Sequence, residues 1–304
     1  MNILITGGAG FIGSHILQRF SKENCQITVL DNLHSGNKAN IPKSVNFIEM
    51  DICDERIIDV FEKNKFEAVV HLAAQTMVNA SIDDPIYDSD NNIRGTINIL
   101  EACRKTGVRR IIFSSTAAVY GDVNEVPVLE DFATDPLSFY GLSKLTVEKY
   151  LKLYQKLYGL EYVILRYANV YGERQGDGGE GGVISIFMKL LAQNKALTIH
   201  GDGKQSRDFV YAGEIANANW LALNSENINE IYNISTQTET SINELVETLE
   251  TISGKKFAIT YGAPRQGDIL RSVLSNDKAR EKIGYKVETS LAEGLRRTYQ
   301  YFVK

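Results

Sequence analysis

Short, β-branched and nearly continuous apolar runs recur through the first half of the chain: NILIT (2–6), QITVLD (26–31), VNFIEMD (45–51), EAVVHLA (67–73) and RRIIFSS (109–115). Runs of this kind suit strands covered on both faces, as in a parallel sheet. The stretches between them mix charged and apolar residues at helical spacing, notably DERIIDVFEKN (54–64) and NIRGTINILEACRKTG (92–107), the second stopped by Gly107. Repeated strand–helix units predict an α/β chain with a doubly wound parallel sheet. After YVILRYANVYG (162–172) the rhythm changes to a glycine cluster (176–182), the apolar VISIFMKLLAQN, and a GDG turn at 201–203. SINE (241–244) and SLAE (290–293) read as capping boxes opening two late helices. The expected division is a first domain over 1–165, a smaller mixed α/β domain over 166–304, and a return of residues near 208–236 to the first.

TGGAGFIG (6–13) follows the first strand and opens a helix, with Gly7, Gly10 and Gly13 in GxxGxxG spacing. Absent side chains let the backbone approach a pyrophosphate, whose charge then lies at the helix N-terminus. Tight turns alone produce glycine triplets, so the context carries the weight. Asp31 ends the next strand, where a carboxylate accepts from both ribose hydroxyls and repels a 2′-phosphate. The pattern predicts a Rossmann sheet binding NAD rather than NADP. Asp51 and Ile52 end the third strand, where an adenine edge lies, and Leu72, Ala73 and Ala74 end the fourth with mostly small residues. Phe11, Ile12, Asn32 and Gln75 complete the expected cofactor wall.

Tyr140 and Lys144 are four apart at a helix start and project on one face. A tyrosine is a poor base at its usual pKa of ~10, and a neighbouring ammonium favours its phenolate. Thr116 ends the fifth strand at the sheet's carboxyl edge, in reach of the same substrate oxygen. YxxxK alone is common; after the glycine fingerprint it is specific.

With these motifs, DNNIRGT (90–96), LRYANVYG (165–172), GDGKQSRDFVY (201–211) and PRQGD (264–268), the chain resembles the extended short-chain dehydrogenase/reductase family in its nucleotide-sugar branch. Within it the chain is most similar to UDP-glucose/UDP-N-acetylglucosamine 4-epimerases. The resemblance covers nearly the whole length. It implies Thr116, Tyr140 and Lys144 as catalytic triad, with Tyr140 and Lys144 also touching NAD together with Asn91. Thr116, Tyr140, Asn169, Arg207, Arg265, Asp268 and Ser272 are implied substrate contacts, the arginines pairing with diphosphate oxygens. Ser272 at a pocket-wall position implies room for an N-acetyl group; read without the family, it is an ordinary small strand residue.

Relatives that eliminate water carry an Asp and a Glu just after the catalytic Thr, and UDP-glucuronate decarboxylases a Glu two residues on. Here Ala117 and Ala118 stand there. What remains is reversible oxidation of one carbinol by Tyr, Thr, Lys and NAD, that is, 4-epimerisation of a UDP-hexose through a 4-keto sugar. The alternatives are a UDP-glucuronate 4-epimerase, with Arg174 the nearby cation for the carboxylate, another NAD-dependent nucleotide-sugar oxidoreductase, and a non-catalytic NAD sensor. Three departures from the family stand out: Glu173 where Pro is frequent after VYG, Gly213 where an acid is frequent, and no Lys near Thr76.

A net charge of −5 gives no reason to expect nucleic acid or an anionic membrane as partner. No apolar run approaches the ~18 residues that span a bilayer, and there is no basic leader. Cys25, Cys53 and Cys103 lack metal or disulfide spacing, and the four His are scattered, so no metal site and a reducing, cytoplasmic setting are expected. The family resemblance implies a homodimer paired through the helices near 92–107 and 142–158.

Overall fold

The apolar runs become neighbouring strands in a computed structural model that describes residues 1–123, 125–176, 182–264 and 269–303. The first half runs β1 (Asn2–Thr6), α1 (Phe11–Phe20), β2 (Gln26–Asp31), β3 (Asn46–Glu49), α2 (Ile57–Asn64), β4 (Ala68–His71), α3 (Val78–Asp83), α4 (Pro85–Ser89), α5 (Gly95–Thr106), β5 (Arg110–Thr116), α6 (Phe139–Tyr158) and β6 (Glu161–Tyr167). The second half contributes β7 (Asn169–Tyr171), α7 (Val183–Ala192), β8 (Leu197–His200), β9 (Ser206–Arg207), β10 (Phe209–Tyr211), α8 (Ala212–Asn224), β11 (Glu230–Ile234), β12 (Thr240–Ser241), α9 (Ile242–Ser253), β13 (Ile259–Gly262), β14 (Arg271–Ser272), α10 (Asp277–Ile283) and α11 (Leu291–Phe302).

Seven strands form one parallel sheet in the order β11-β6-β5-β4-β1-β2-β3. The chain winds outward from β1 to β3, then restarts on the other side of β1 with β4. The crevice between β1 and β4 at their carboxyl ends is therefore the switch point at which such sheets bind ligands. Along β1, Ile3 and Ile5 join a core with Ile16, Leu17 and Phe20 of α1, while Leu4 joins Leu30, Phe61, Ile99 and Leu100 on the opposite face. Both faces are buried, which is why the strands read as continuous apolar runs rather than alternating ones. A third core, including Phe187, Met188, Leu245 and Leu295, joins α7, α9 and α11.

Several boundaries differ from the pattern reading, for local reasons. The third and fourth strands end at Glu49 and His71, ahead of the predicted 51 and 73. Asp51 instead turns the chain, its Oδ1 accepting from the Cys53 N–H at 2.8 Å. The helix expected from 54 starts at Ile57, because Asp54 Oδ1 takes the Arg56 N–H at 2.9 Å. The helix expected over 92–107 opens as a wider π turn over Asp90–Arg94, and Gly107 at φ +77° caps its end. Ser241 and Glu244 form a reciprocal capping box. At Ser290 only half of one forms: its hydroxyl accepts from the Glu293 N–H, while the Glu293 carboxylate is held by Arg296 and Arg297.

Candidate active site

The glycine-rich loop passes directly from β1 into α1. Gly7 takes φ +69°, and a Cβ there would stand 2.7 Å from the Ala73 nitrogen; one on Gly13 would stand 2.3 Å from the Gly7 carbonyl oxygen. These two glycines are required by the protein's own packing. Gly10 differs, because a Cβ there would meet one atom within 4 Å, the Gly7 oxygen at 3.3 Å. Gly10 is also the N-cap of α1, with no side chain bonded to the exposed N–H groups and no acid in the first turn. Bare donors at a helix N-terminus beside a missing side chain fit a pyrophosphate.

Asp31 is buried, accepting from the Ala9 N–H at 3.0 Å and the Leu33 N–H at 2.8 Å. Burial raises its carboxyl pKa. A carboxylate has about four acceptor positions, so two remain for ribose hydroxyls. Asn32 ties this corner to the turn after the third strand, donating to Asp51 Oδ2 at 2.8 Å. Ile52 is buried against Gly95. At the end of β4 the Leu72 and Ala73 N–H groups reach Thr6 Oγ1 at 3.2 and 3.3 Å. His71, fully buried between Thr6 and Thr96, is pushed down to about 3 by desolvation and stays neutral.

Gln75 leads to a polar network that sequence spacing did not reveal. Its backbone N–H donates to Asn92 Oδ1 at 2.8 Å, and Asp88 Oδ1 accepts from Gln75 Nε2 at 2.9 Å and Asn92 Nδ2 at 3.1 Å. Asn92 Nδ2 also reaches Ser143 Oγ at 3.0 Å. Asn91, expected as a cofactor contact, lies outside this network; it is half-buried and donates to the Tyr87 carbonyl at 2.8 Å. In the π turn it is Asn92 that faces the α6 side, and the doubled asparagine in DNNIRGT was the available signal.

Thr116 closes β5, its Oγ1 accepting from the Ala118 N–H at 3.2 Å. Ser138 caps α6 through the Gly141 N–H at 3.1 Å. A Cβ on Gly141 would lie 2.7 Å from the Ala118 carbonyl oxygen, so the first turn of α6 packs directly on the residues after Thr116. This close approach brings Tyr140 to the carboxyl edge of β5. Lys144, 4% exposed, donates from Nζ to the Ser114 carbonyl at 3.0 Å and lies 5.0 Å from the Phe113 ring centroid. Burial pulls its pKa down to about 8, against the opposing pull of the Asp88 carboxylate. Four residues on, Glu148 is buried in an ion pair with Arg166 of β6 at 2.6 Å and accepts from Ser115 Oγ at 2.6 Å.

On the second-half side, main-chain pairing gathers distant residues. Ser272 of β14 lies beside Arg207 of β9, whose other neighbour is Thr240 of β12. The Asp208 N–H donates to the Ser272 carbonyl at 2.9 Å, and the Asn169 N–H to the Asp208 carbonyl at 3.0 Å. Asn169, Arg207 and Ser272 thus share one wall. Asp208, unforeseen from sequence, is fully buried and accepts from Thr236 and Gln237; desolvation pushes it up to about 6. Arg265 and Asp268 lie outside the described residues. Among the described residues no helix is long and apolar enough to cross a membrane.

Residues 3–235 match the NAD dependent epimerase/dehydratase family. A Methanocaldococcus jannaschii protein provisionally named UDP-glucose 4-epimerase is 48% identical over 300 residues, covering 98% of this chain and 97% of that one. A UDP-glucose 4-epimerase of Thermotoga maritima, solved with UDP-glucose, superposes with a TM-score of 0.96 at 42% identity, over 99% of this chain and 98% of that chain. A UDP-N-acetylglucosamine 4-epimerase of Methanobrevibacter ruminantium, solved with UDP-N-acetylmuramic acid, superposes at 0.95 and 35% identity over the same shares. The glycine-rich loop at the switch point and the start of α6 packed on the residues after Thr116 agree with that match, and the chain belongs to the NAD dependent epimerase/dehydratase family.

Proposed function

We infer that the chain is an NAD-dependent UDP-sugar 4-epimerase, interconverting UDP-hexoses through a 4-keto sugar. The observation that carries the reading is the Thr116 edge. Tyr140 and Lys144 lie in the first turns of α6, whose Gly141 packs on the Ala118 carbonyl, while Ala117 and Ala118 follow Thr116 in a short 3₁₀ turn and carry no proton-transfer group. NAD, when bound on the glycine-rich loop, supplies a reversible hydride acceptor for carbon 4. Tyr140 takes the proton of the 4-hydroxyl and returns it on closure of the cycle. Lys144 lends positive charge that favours the phenolate and would hold the cofactor ribose, and Thr116 orients the substrate oxygen. Asn169 and Arg207 hold the nucleotide diphosphate from the second-half wall, and Arg265 and Asp268, outside the described residues, are assigned as further substrate contacts. Gly7, Gly10 and Gly13, Asp31, the segments at 51–52 and 72–75, and Asn91 hold the cofactor, while Asn92, buried and fully bonded to Gln75, Asp88 and Ser143, braces the segment behind it.

Ser272 leaves the sugar pocket open to an N-acetyl group, extending the substrates to UDP-N-acetylhexosamines. The uronate reading loses its cation. Arg174 donates from Nε to Ser14 Oγ at 2.7 Å and from Nη2 to Gln18 Oε1 at 3.2 Å, turned toward α1. Residues 1–165 with the returning segment 208–236 make up the cofactor half, consistent with β11 completing the sheet and α8 packing on α1. We assign the protein to the cytoplasm, in keeping with three free thiols.

The test is incubation of purified protein, without added cofactor, with UDP-galactose and separately with UDP-N-acetylgalactosamine, resolving products by anion exchange. Conversion of both to their gluco partners is expected. Conversion of UDP-galactose alone refutes the role of Ser272. If neither reacts even with NAD added, the hexose reading is wrong.

A further inference from the structure

Two of the departures from the family pattern, Glu173 and Gly213, meet in space. A Cβ on Gly213 would stand 2.7 Å from Tyr211 Cε1, so the glycine lets the tyrosine ring lie across it. From there the Tyr211 hydroxyl reaches both Glu173 carboxylate oxygens, at 3.0 and 2.8 Å. The Glu173 carbonyl accepts from His15 Nε2 at 3.0 Å. Arg174, in a left-handed conformation at φ +66°, makes its two bonds to Ser14 and Gln18. Even Gly172 sits close, since a Cβ there would be 3.4 Å from both the Phe11 ring and His15 Nε2. The contacts of Gly172, the Glu173 carbonyl and Arg174 all land on α1 between Phe11 and Gln18, the helix whose N-terminus has no side-chain cap and is assigned to the pyrophosphate.

We propose that Glu173, anchored by Tyr211 across Gly213, clasps the segment 172–174 onto α1 and thereby keeps the cofactor bound through turnover. The proposal deepens the NAD-epimerase reading and rests on it. The physical reason is local stability. Dinucleotide leaves when the first turn of a binding helix frays or the segment over it lifts, and contacts made only in the closed form raise the cost of that opening. The need is specific to this chemistry: a cofactor lost between the two hydride transfers strands a keto sugar. Because Tyr211 ends the strand paired with β7, the clasp also ties the substrate wall to the cofactor helix. Glu173 and Tyr211 are positioning residues, acting through α1.

The experiment loads full-length wild type, Glu173→Ala, Glu173→Gln and Tyr211→Phe with radiolabelled NAD, chases with excess unlabelled NAD, and follows retained label by rapid gel filtration. Thermal midpoints of the NAD-free proteins are recorded in parallel. Loss of one charge-assisted hydrogen bond makes release about tenfold faster in Glu173→Ala and Tyr211→Phe. Glu173→Gln keeps an acceptor oxygen and restores retention, a rescue that general destabilisation does not mimic. Release at the wild-type rate from both Glu173→Ala and Tyr211→Phe overturns the clasp alone. Wild type that takes up no label overturns the clasp together with the cofactor reading.

Discussion

Lys144, the proposed cation beside Tyr140, is held at a cost in stability. Its ammonium is withdrawn from water and bonded to a peptide carbonyl, and burial lowers its pKa from 10.5 to about 8. Between those two values the unfolded chain binds more protons than the folded one, so stability rises with pH across that window. Below pH 8 the full penalty applies, on the order of 3 kcal/mol. Lys144→Met removes it. Urea unfolding of wild type and Lys144→Met at pH 7, 8.5 and 10 is therefore expected to show a gap that moves in favour of wild type as pH rises; a pH-independent gap would refute titration of Lys144 in this range. The same substitution lowers kcat roughly 10²–10⁴-fold at pH 8, because the Tyr140 phenolate loses its neighbouring charge.

At the scale of elements, α6 is the organiser. Tyr140, Lys144 and Glu148 follow one another at four-residue spacing, so one helical stripe carries the proposed base, its cation, and an anchor to the sheet. The anchor joins α6 to β5 through Ser115 and to β6 through Arg166, whose guanidinium also lies 4.7 Å from the Tyr120 ring centroid. Removing one partner of such a buried pair leaves an uncompensated charge, whereas replacing both with apolar groups is far less damaging. Glu148→Leu is expected to cost about 3–5 kcal/mol in denaturant unfolding, and Glu148→Leu with Arg166→Met to recover most of it. A double variant as unstable as the single one would show that the pair itself, rather than the orphaned charge, sustains this corner.

For the whole molecule, the outer side of α6 remains to be covered. Leu142, Leu153, Leu157 and Tyr158 are about half exposed, at 48, 49, 58 and 52%. Leu142, Leu153 and Leu157 fall on a common face of a 20-residue helix, and α5 packs beside it. We propose that this face pairs with a second copy, giving the homodimer. Sedimentation at micromolar concentration is expected to report a dimer of the 33.9 kDa chain, and Leu153→Glu with Leu157→Glu a monomer that still binds NAD. Wild type sedimenting as a monomer would remove the homodimer.

Local chemistry was legible in the sequence because it depends on neighbours along the chain. Continuous apolar runs gave β1 and β2 their limits, the glycine spacing placed the turn into α1, Gly107 stopped a helix, and YxxxK put two groups on one face. Tertiary structure alone buried Asn92 against Gln75 and Ser143 within the π turn. It alone joined Asp88 to Gln75 and Asn92, Glu148 to Arg166, and Glu173 to Tyr211 over Gly213. It also brought 206–207, 240–241 and 271–272 into one small sheet that sets Ser272 beside Arg207. These pairings link residues up to 65 positions apart, as β9 and β14 do, and no periodicity encodes them. They arise when the hydrophobic faces close and each buried polar group must take whatever partner the packing has placed beside it.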